Sequence, residues 1–212
     1  MWHIRPYQPA DRAAVFQLCG DTTHFGDPLE RFFDARKLFL DTFAAYYTDV
    51  VGDHLWVAVD DQAGLVAYLM GCPDTPAYYR WFKPHTRRIA WRAMTLRYRG
   101  VFTRKTLAYI WRYAHLPKVP YLDLAPYPAH LHINTRAGWR GRGLGAALMA
   151  AYLDQLRREG VPGVHLETSS ENTLAVPWYE KLGFQLLQRT STDLYQPSVG
   201  HAIDLLVYAL RL

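Results

Sequence analysis

The sequence predicts an α/β (α+β) fold, a mixed sheet flanked by helices. Three observations predict it. Strand-like runs outnumber the helical crossovers between them. A long helical repeat, with Leu144, Leu148, Tyr152 and Leu156 four residues apart, stands between two of those runs. Half of the 212 residues are hydrophobic, with 15 Tyr and 7 Trp, which suits a sizeable core in one domain over 1–212.

The elements follow in order. "WHIRPYQ" (2–8) forms a first strand, and Pro9 with Asp11 opens a helix through "AAVFQLC". One helix is expected over 29–47, where Phe32, Phe33, Leu40, Phe43 and Tyr47 recur near one side. "HLWVAVD" and "GLVAYLMG" flank "DQA" as a β-hairpin, with Asp60, Asp61 and Gly64 at or beside the turn. Residues 73–128 are aromatic, basic, bounded by prolines and mostly helical. "HLHINT" (130–135) alternates Leu131, Ile133 and Thr135 against His130, His132 and Asn134, as a strand does. A glycine-rich loop then leads into the helix "LGAALMAAYLDQLRREG", which Gly160 and Pro162 end. "GVHLETS" is a strand, "NTLAVPWYEKLG" a short helix, and "FQLLQRT" and "AIDLLVYALRL" are strands.

The net charge of +5 arises from one segment. Between Asp74 and Asp123 there is no acidic residue, but there are eleven Lys or Arg: Arg80, Lys83, Arg87, Arg88, Arg92, Arg97, Arg99, Arg104, Lys105, Arg112 and Lys118. Without those eleven, the 24 basic residues fall to 13 against 19 acidic ones. No apolar run approaches the roughly 20 residues that span a bilayer. The first residues carry charge where a secretory leader needs an apolar stretch. Cys19 and Cys72 match no metal-ligand spacing. These features lead us to expect a reduced, cytoplasmic protein with no metal and no membrane association.

"GWRGRGLGAALM" (138–149) carries the chemistry. A strand, then glycines, then a helix start is a general recipe for anion binding, because the first N–H groups of a helix lack intrahelical partners and the helix dipole adds positive charge there. Glycine permits close backbone approach, and Arg140 and Arg142 add charge at the rim. A tight turn on a basic surface is the plainer explanation. No Gly-Lys-Ser/Thr follows, so this is not a Walker A loop, and a third glycine at the Rossmann position is missing. The form Arg140-x-x-Gly143-x-Gly145 resembles the pyrophosphate loop of the GNAT superfamily of acyl-CoA-dependent N-acetyltransferases. The resemblance extends over about residues 130 to 187. Leu166-Glu167-Thr168, then Asn172, then Tyr179-Glu180-Lys181-Leu182-Gly183-Phe184 match the family's next strand and helix in type and spacing.

The resemblance implies a mostly antiparallel central sheet splayed between two strands, with the pantetheine arm of acetyl-CoA in the gap. It assigns cofactor contacts to Ile133, Asn134 and Thr135 on the strand, to Arg140, Gly141, Arg142, Gly143, Leu144, Gly145 and Ala146 on the loop, and to Asn172 and Tyr179. Tyr179 takes the place of the tyrosine that protonates the CoA sulfur, and Glu167 that of a general base in some members. Asn172 is expected to cap the following helix by its side-chain oxygen, and N–H groups near Thr135 to polarise the thioester carbonyl. No metal is implied. His130 and His132 stand one residue out of register with strand histidines used by some relatives, which turns them to the other face as packing residues. Ala137 replaces a proline common in the family.

The basic segment at about 74–128 is an insertion relative to a minimal GNAT domain. Three readings of it stay open, in this order: a solvated basic face, a wall of the acceptor pocket, and a nucleic-acid surface. Trp81, Phe82, Trp91, Leu96, Tyr109 and Trp111 are expected to pack its helices onto the sheet, and a homodimer surface is a further use of such residues. "GCPDT" (71–75) and "HLHINTRAGWRGRG" resemble bacterial acetyltransferase-like proteins related to the C-terminal domain of O-GlcNAcase. That likeness supplies the alternative of a catalytically silent domain that binds CoA or a protein partner. The leading expectation is acetyl transfer from acetyl-CoA to a small-molecule or protein amine by direct attack in a ternary complex.

Overall fold

The structure is a computed structural model that describes residues 1–116 and 122–212, so Lys118 of the basic run lies outside the described residues. Seven strands form one sheet in the order β1-β2-β3-β4-β5-β7-β6. They are β1 (Trp2–Pro6), β2 (Leu55–Asp60), β3 (Gly64–Cys72), β4 (Ala129–Thr135), β5 (Gly163–Ser169), β6 (Gln185–Thr192) and β7 (Ile203–Arg211). Every neighbouring pair is antiparallel except β4 with β5. The hairpin closes where Asp60 Oδ1 accepts the N–H groups of Gln62 and Ala63, both at 3.0 Å.

Parallel β4 and β5 pair at two positions, Ala129 with Val164 and His130 with His165. Beyond them β4 continues along β3 as far as Thr135, opposite Ala67, while β5 continues along β7 as far as Ser169, opposite Leu205. The sheet therefore opens into a gap between its two central strands, as the sequence resemblance implies.

Alternation of side chains along the strands gives the sheet two different faces. On one, Ala67, Leu69, Leu131, Val164, Leu166 and Leu206 meet Leu148, Tyr152 and Leu156 of α6 (Leu144–Arg158) and Tyr179 of α7 (Ala175–Lys181). On the other, Leu55, Val57, Tyr68 and Met70 meet Val15 and Leu18 of α1 (Arg12–Thr22), Leu40 of α2 (Arg36–Phe43) and Tyr46 and Tyr47 of α3 (Ala45–Asp49).

The single helix expected over 29–47 is instead a 3-10 turn at Leu29–Arg31 followed by α2 and α3. The cause is a distant part of the chain. Lys105 donates to the Glu30 carbonyl (2.7 Å) and to Asp34 Oδ1 (2.8 Å), and the Asp34 N–H donates to Thr106 Oγ1 (3.0 Å). These bonds take up backbone groups a continuous helix would use internally. Consecutive Phe32 and Phe33 can then both be buried.

The basic segment holds α4 (Thr75–Met94) and α5 (Arg104–Ala114). Asp74 caps α4 by accepting the Ala77 N–H at 3.0 Å, and Thr103 caps α5. Trp81 and Tyr109 pack inward, Tyr109 against Phe32 and Phe33 rather than the sheet. Trp91, Leu96 and Trp111 do not pack as expected, being 57%, 74% and 61% exposed. A short α8 (Gln196–Val199) between β6 and β7 is an element the sequence reading did not contain.

Candidate active site

The glycine loop is built by conformation, not crowding. Gly138, Gly141 and Gly143 have φ of 81°, 74° and 84°, where side-chain-bearing residues are strained. A Cβ at Gly138 or Gly141 would meet nothing within 4 Å, so only the backbone shape demands glycine there. Gly143 caps α6, whose first N–H groups, on Leu144, Gly145 and Ala146, precede the first intrahelical donor, Ala147 N–H to Gly143 O at 3.0 Å. Gly145 lies under Trp178 and Ile133. Arg140 leans on the Gly26 carbonyl at 3.4 Å, and the Arg142 guanidinium stacks 4.5 Å above Trp139. Neither arginine has an acidic partner among the described residues. The donors, the cations and the open space above the glycines fit a pyrophosphate.

On the gap side of β4, alternate backbone groups between Leu131 and Thr135 have no strand opposite them. The Asn134 side chain is committed elsewhere, donating to the Tyr68 hydroxyl at 2.8 Å, so only its main chain faces the gap region. Ile133 packs with the α6 face.

Tyr179 and Glu167 occupy opposite faces at this opening. Tyr179 is 6% exposed and its ring lies 5.1 Å from Trp178 and 5.9 Å from Phe184. Its hydroxyl has no hydrogen bond among the described residues, and burial pushes its pKa well up. It is a proton-bearing group awaiting a partner. Glu167 follows Leu166 on β5, so it points away from the α6 face. It is open to solvent, and the protein surrounding it raises its carboxyl pKa. Its charge, after burial, helps to raise the pKa values of the Tyr78, Tyr79, Tyr113 and Tyr195 hydroxyls, which lie within its electrostatic reach.

Asn172 differs from the expectation. Its side chain does not cap α7; Nδ2 donates to Thr168 Oγ1 at 3.2 Å, and the Asn172 carbonyl accepts the Ala175 and Val176 N–H groups at 3.0 and 3.1 Å. The turn after β5 is tight enough for the main chain to do the capping, which leaves the amide to brace the strand end.

His130 and His132 share a face with Glu167, since Leu131 and Leu166 share the other. Those four tyrosines and Tyr47 were not read from the sequence as site residues. They come from α3, α4, α5 and the stretch before α8, and only the fold brings them together. The one local signal was the Asp74-Thr75-Pro76 helix start, which sets Tyr78 5.2 Å from His130.

Residues 24–184 match the model of the acetyltransferase (GNAT) family. The chain belongs to that family. Among curated proteins it is 37% identical over 79 residues to a mycothiol acetyltransferase of Nocardiopsis dassonvillei and 33% identical over 72 residues to the ribosomal protein bS18-alanine N-acetyltransferase of Escherichia coli. Those matches span 37% and 34% of this chain, but only 24% and 47% of the relatives' own lengths. The crystal structure of SsHAT superposes with a TM-score of 0.67 at 25% identity, covering 99% of this chain and 98% of that one. The Salmonella typhimurium yncA structure, a putative acetyltransferase with acetyl-CoA, gives 0.57 at 17%, covering 100% and 94%, and supports the fold.

Proposed function

We propose that this chain is an N-acetyltransferase of the GNAT type that moves the acetyl group of acetyl-CoA to an amine by direct attack in a ternary complex. One observation carries the reading: the sheet opens after His130 and His165, with the hydroxyl of the buried Tyr179, unbonded among the described residues, on one face and Glu167 on the other. Acetyl-CoA supplies an activated thioester. The N–H groups of 144–146 with Arg140 and Arg142 hold its pyrophosphate, Gly141, Gly143 and Gly145 let the backbone approach, and Ile133, Asn134 and Thr135 offer main-chain pairing to the pantetheine. A main-chain N–H near Thr135 polarises the carbonyl. Glu167, directly or through water, takes the proton that nitrogen loses as the N–C bond forms. Tyr179 gives a proton to sulfur as the C–S bond breaks. Both are reset from solvent.

The bracing Asn172 acts on the site through the end of β5. Residues 74–128 serve as an insertion in one domain, contributing Tyr78, Tyr79 and Tyr113 to the acceptor wall. The relatives' names point to amines on small thiols or protein N-termini as acceptors to try. No helix among the described residues is long and apolar enough to cross a membrane; cytoplasmic work on soluble amines fits the composition. Titration calorimetry with acetyl-CoA and free CoA tests the first half, with micromolar binding expected. Mass spectrometry of an amine panel, including an alanine-terminated peptide, tests transfer. Absence of CoA binding would reduce the loop to a turn and end the reading.

A further inference from the structure

A chain of four side chains runs from the start of α4 to the edge of the gap, and its proton positions follow from donor and acceptor counting. The Pro128 carbonyl can only accept, so the Thr75 hydroxyl donates to it at 2.7 Å. With that one proton committed, Thr75 Oγ1 accepts from His130 Nδ1–H, also at 2.7 Å. Burial keeps His130 neutral, so its Nε2 is bare and accepts the Tyr47 O–H at 2.7 Å. The Tyr47 oxygen then accepts from His132 Nε2–H at 3.1 Å. Burial and the nearby His165 hold the His132 pKa down to about 4, so near neutral pH that imidazole has one proton and it sits on Nε2. Its Nδ1 carries a lone pair and bonds to nothing among the described residues. It is not walled in, because the one buried side-chain nitrogen or oxygen without a partner there is Ser169 Oγ.

The position of that lone pair gives it a use. His130 and His165 form the last rung between β4 and β5, with rings 5.7 Å apart. Two residues further on each strand, on the same face, stand His132 and Glu167, one on each side of the opening. The groups facing His132 are Tyr47 from α3, His130 from its own strand and His165 from β5, with the Phe43 ring at 4.7 Å.

We infer that His132 is a catalytic residue that makes the site selective for primary amines. Resting on the N-acetyltransferase reading, its Nδ1 accepts one N–H of the neutral acceptor while Glu167 accepts the other, which leaves the nitrogen lone pair free to attack. An uncharged imidazole orients the nucleophile without repelling it. A secondary amine has one N–H and cannot satisfy both sides. Thr75, His130 and Tyr47 are positioning residues that fix the tautomer.

The experiment compares an alanine-terminated peptide with the same peptide bearing N-methylalanine, in wild type, His132→Gln and Thr75→Val. Gln keeps a donor for Tyr47 near the Nε2 position and removes the Nδ1 lone pair. Wild type should favour the primary amine, and His132→Gln should lower its kcat about tenfold, as for one lost hydrogen bond. That variant should lose less on the N-methyl peptide, whose one N–H goes to Glu167, so the preference narrows, and it should bind acetyl-CoA unchanged. Thr75→Val should narrow the preference in the same direction. Long-range proton–nitrogen correlation spectra of the wild type should show His132 protonated on Nε2. A proton on Nδ1, or an unaltered preference in His132→Gln, overturns the inference. Absent transfer to both peptides and to every amine of the panel in wild type that binds acetyl-CoA defeats the N-acetyltransferase reading and this role with it.

Discussion

The two faces of the sheet differ in kind. The α6 face is an apolar layer in which Leu131, Leu166, Leu148 and Tyr152 interlock, with Tyr179 at its edge. The opposite face at the same gap is built of tyrosines and histidines joined by hydrogen bonds, with Glu167 beside them. At the gap the first draws Leu131, Leu148, Tyr152, Leu166 and Tyr179 from one contiguous stretch, β4 to α7. The second is gathered from α3, α4, α5 and the stretch before α8 as well as β4 and β5. One face has a shape that serves a common cofactor, and the other has a shape open to change.

Four substitutions or conditions sharpen that contrast. Removing the Tyr179 hydroxyl has the largest expected effect: Tyr179→Phe should lower kcat by about 10²-fold or more. Calorimetry should find acetyl-CoA affinity nearly intact, since the hydroxyl has no partner among the described residues to lose; full turnover would strip Tyr179 of its role.

On the other face, Glu167→Gln should lower kcat/KM by about 10²-fold. In wild type, kcat/KM should rise with pH through a value above the ordinary 4.5, because burial raises the carboxyl pKa and a base works only when deprotonated. The variant should lack that limb, and a matching limb in both proteins would move the base elsewhere.

Gly143→Val should act on the cofactor alone. A branched side chain at φ 84° strains the cap of α6 by about 1–2 kcal/mol. We expect acetyl-CoA affinity to fall about tenfold with the circular dichroism spectrum unchanged; wild-type affinity would contradict the loop assignment.

The last effect is on stability. His130, His132 and His165 have pKa values lowered by burial from the usual 6.5, so the unfolded chain takes up protons first as pH falls. Stability is fully present above about pH 6.5 and declines toward pH 4, with His132 accounting for on the order of 2 kcal/mol after allowance for partial solvent access. Thermal melts across that range should show Tm dropping, and His132→Gln should flatten the fall.

The same division decides what the sequence reveals. The strand at 130–135, the glycines of 138–145 and the helix repeating at Leu144, Leu148, Tyr152 and Leu156 are local patterns, and all three stand where the periodicity puts them. The opening between β4 and β5 followed from the motif at 166–184. The broken helix over 29–47 was illegible because the bonds that break it come from Lys105 and Thr106. Asn172 was misjudged for a similar reason: whether the carbonyl or the amide caps α7 depends on turn geometry, which residue type does not encode. His130 and His132 were legible from the strand's own alternation against Leu131 and Ile133, and both rings pack against Tyr47 or Phe43; that Glu167 shares their face depends on how β4 meets β5.

Two rungs join β4 to β5. Mechanically the sheet is two cantilevers, β1 to β4 and β5 to β7, stitched at one corner and backed by one apolar cluster. Such a structure is soft in the one mode that widens the opening, and a molecule lying along β4 would stiffen that mode without touching either hydrophobic layer. Amides of residues 131 to 135 on the free edge would then exchange with solvent more slowly when the gap is filled, while those of β2, clamped on both sides, would hardly notice.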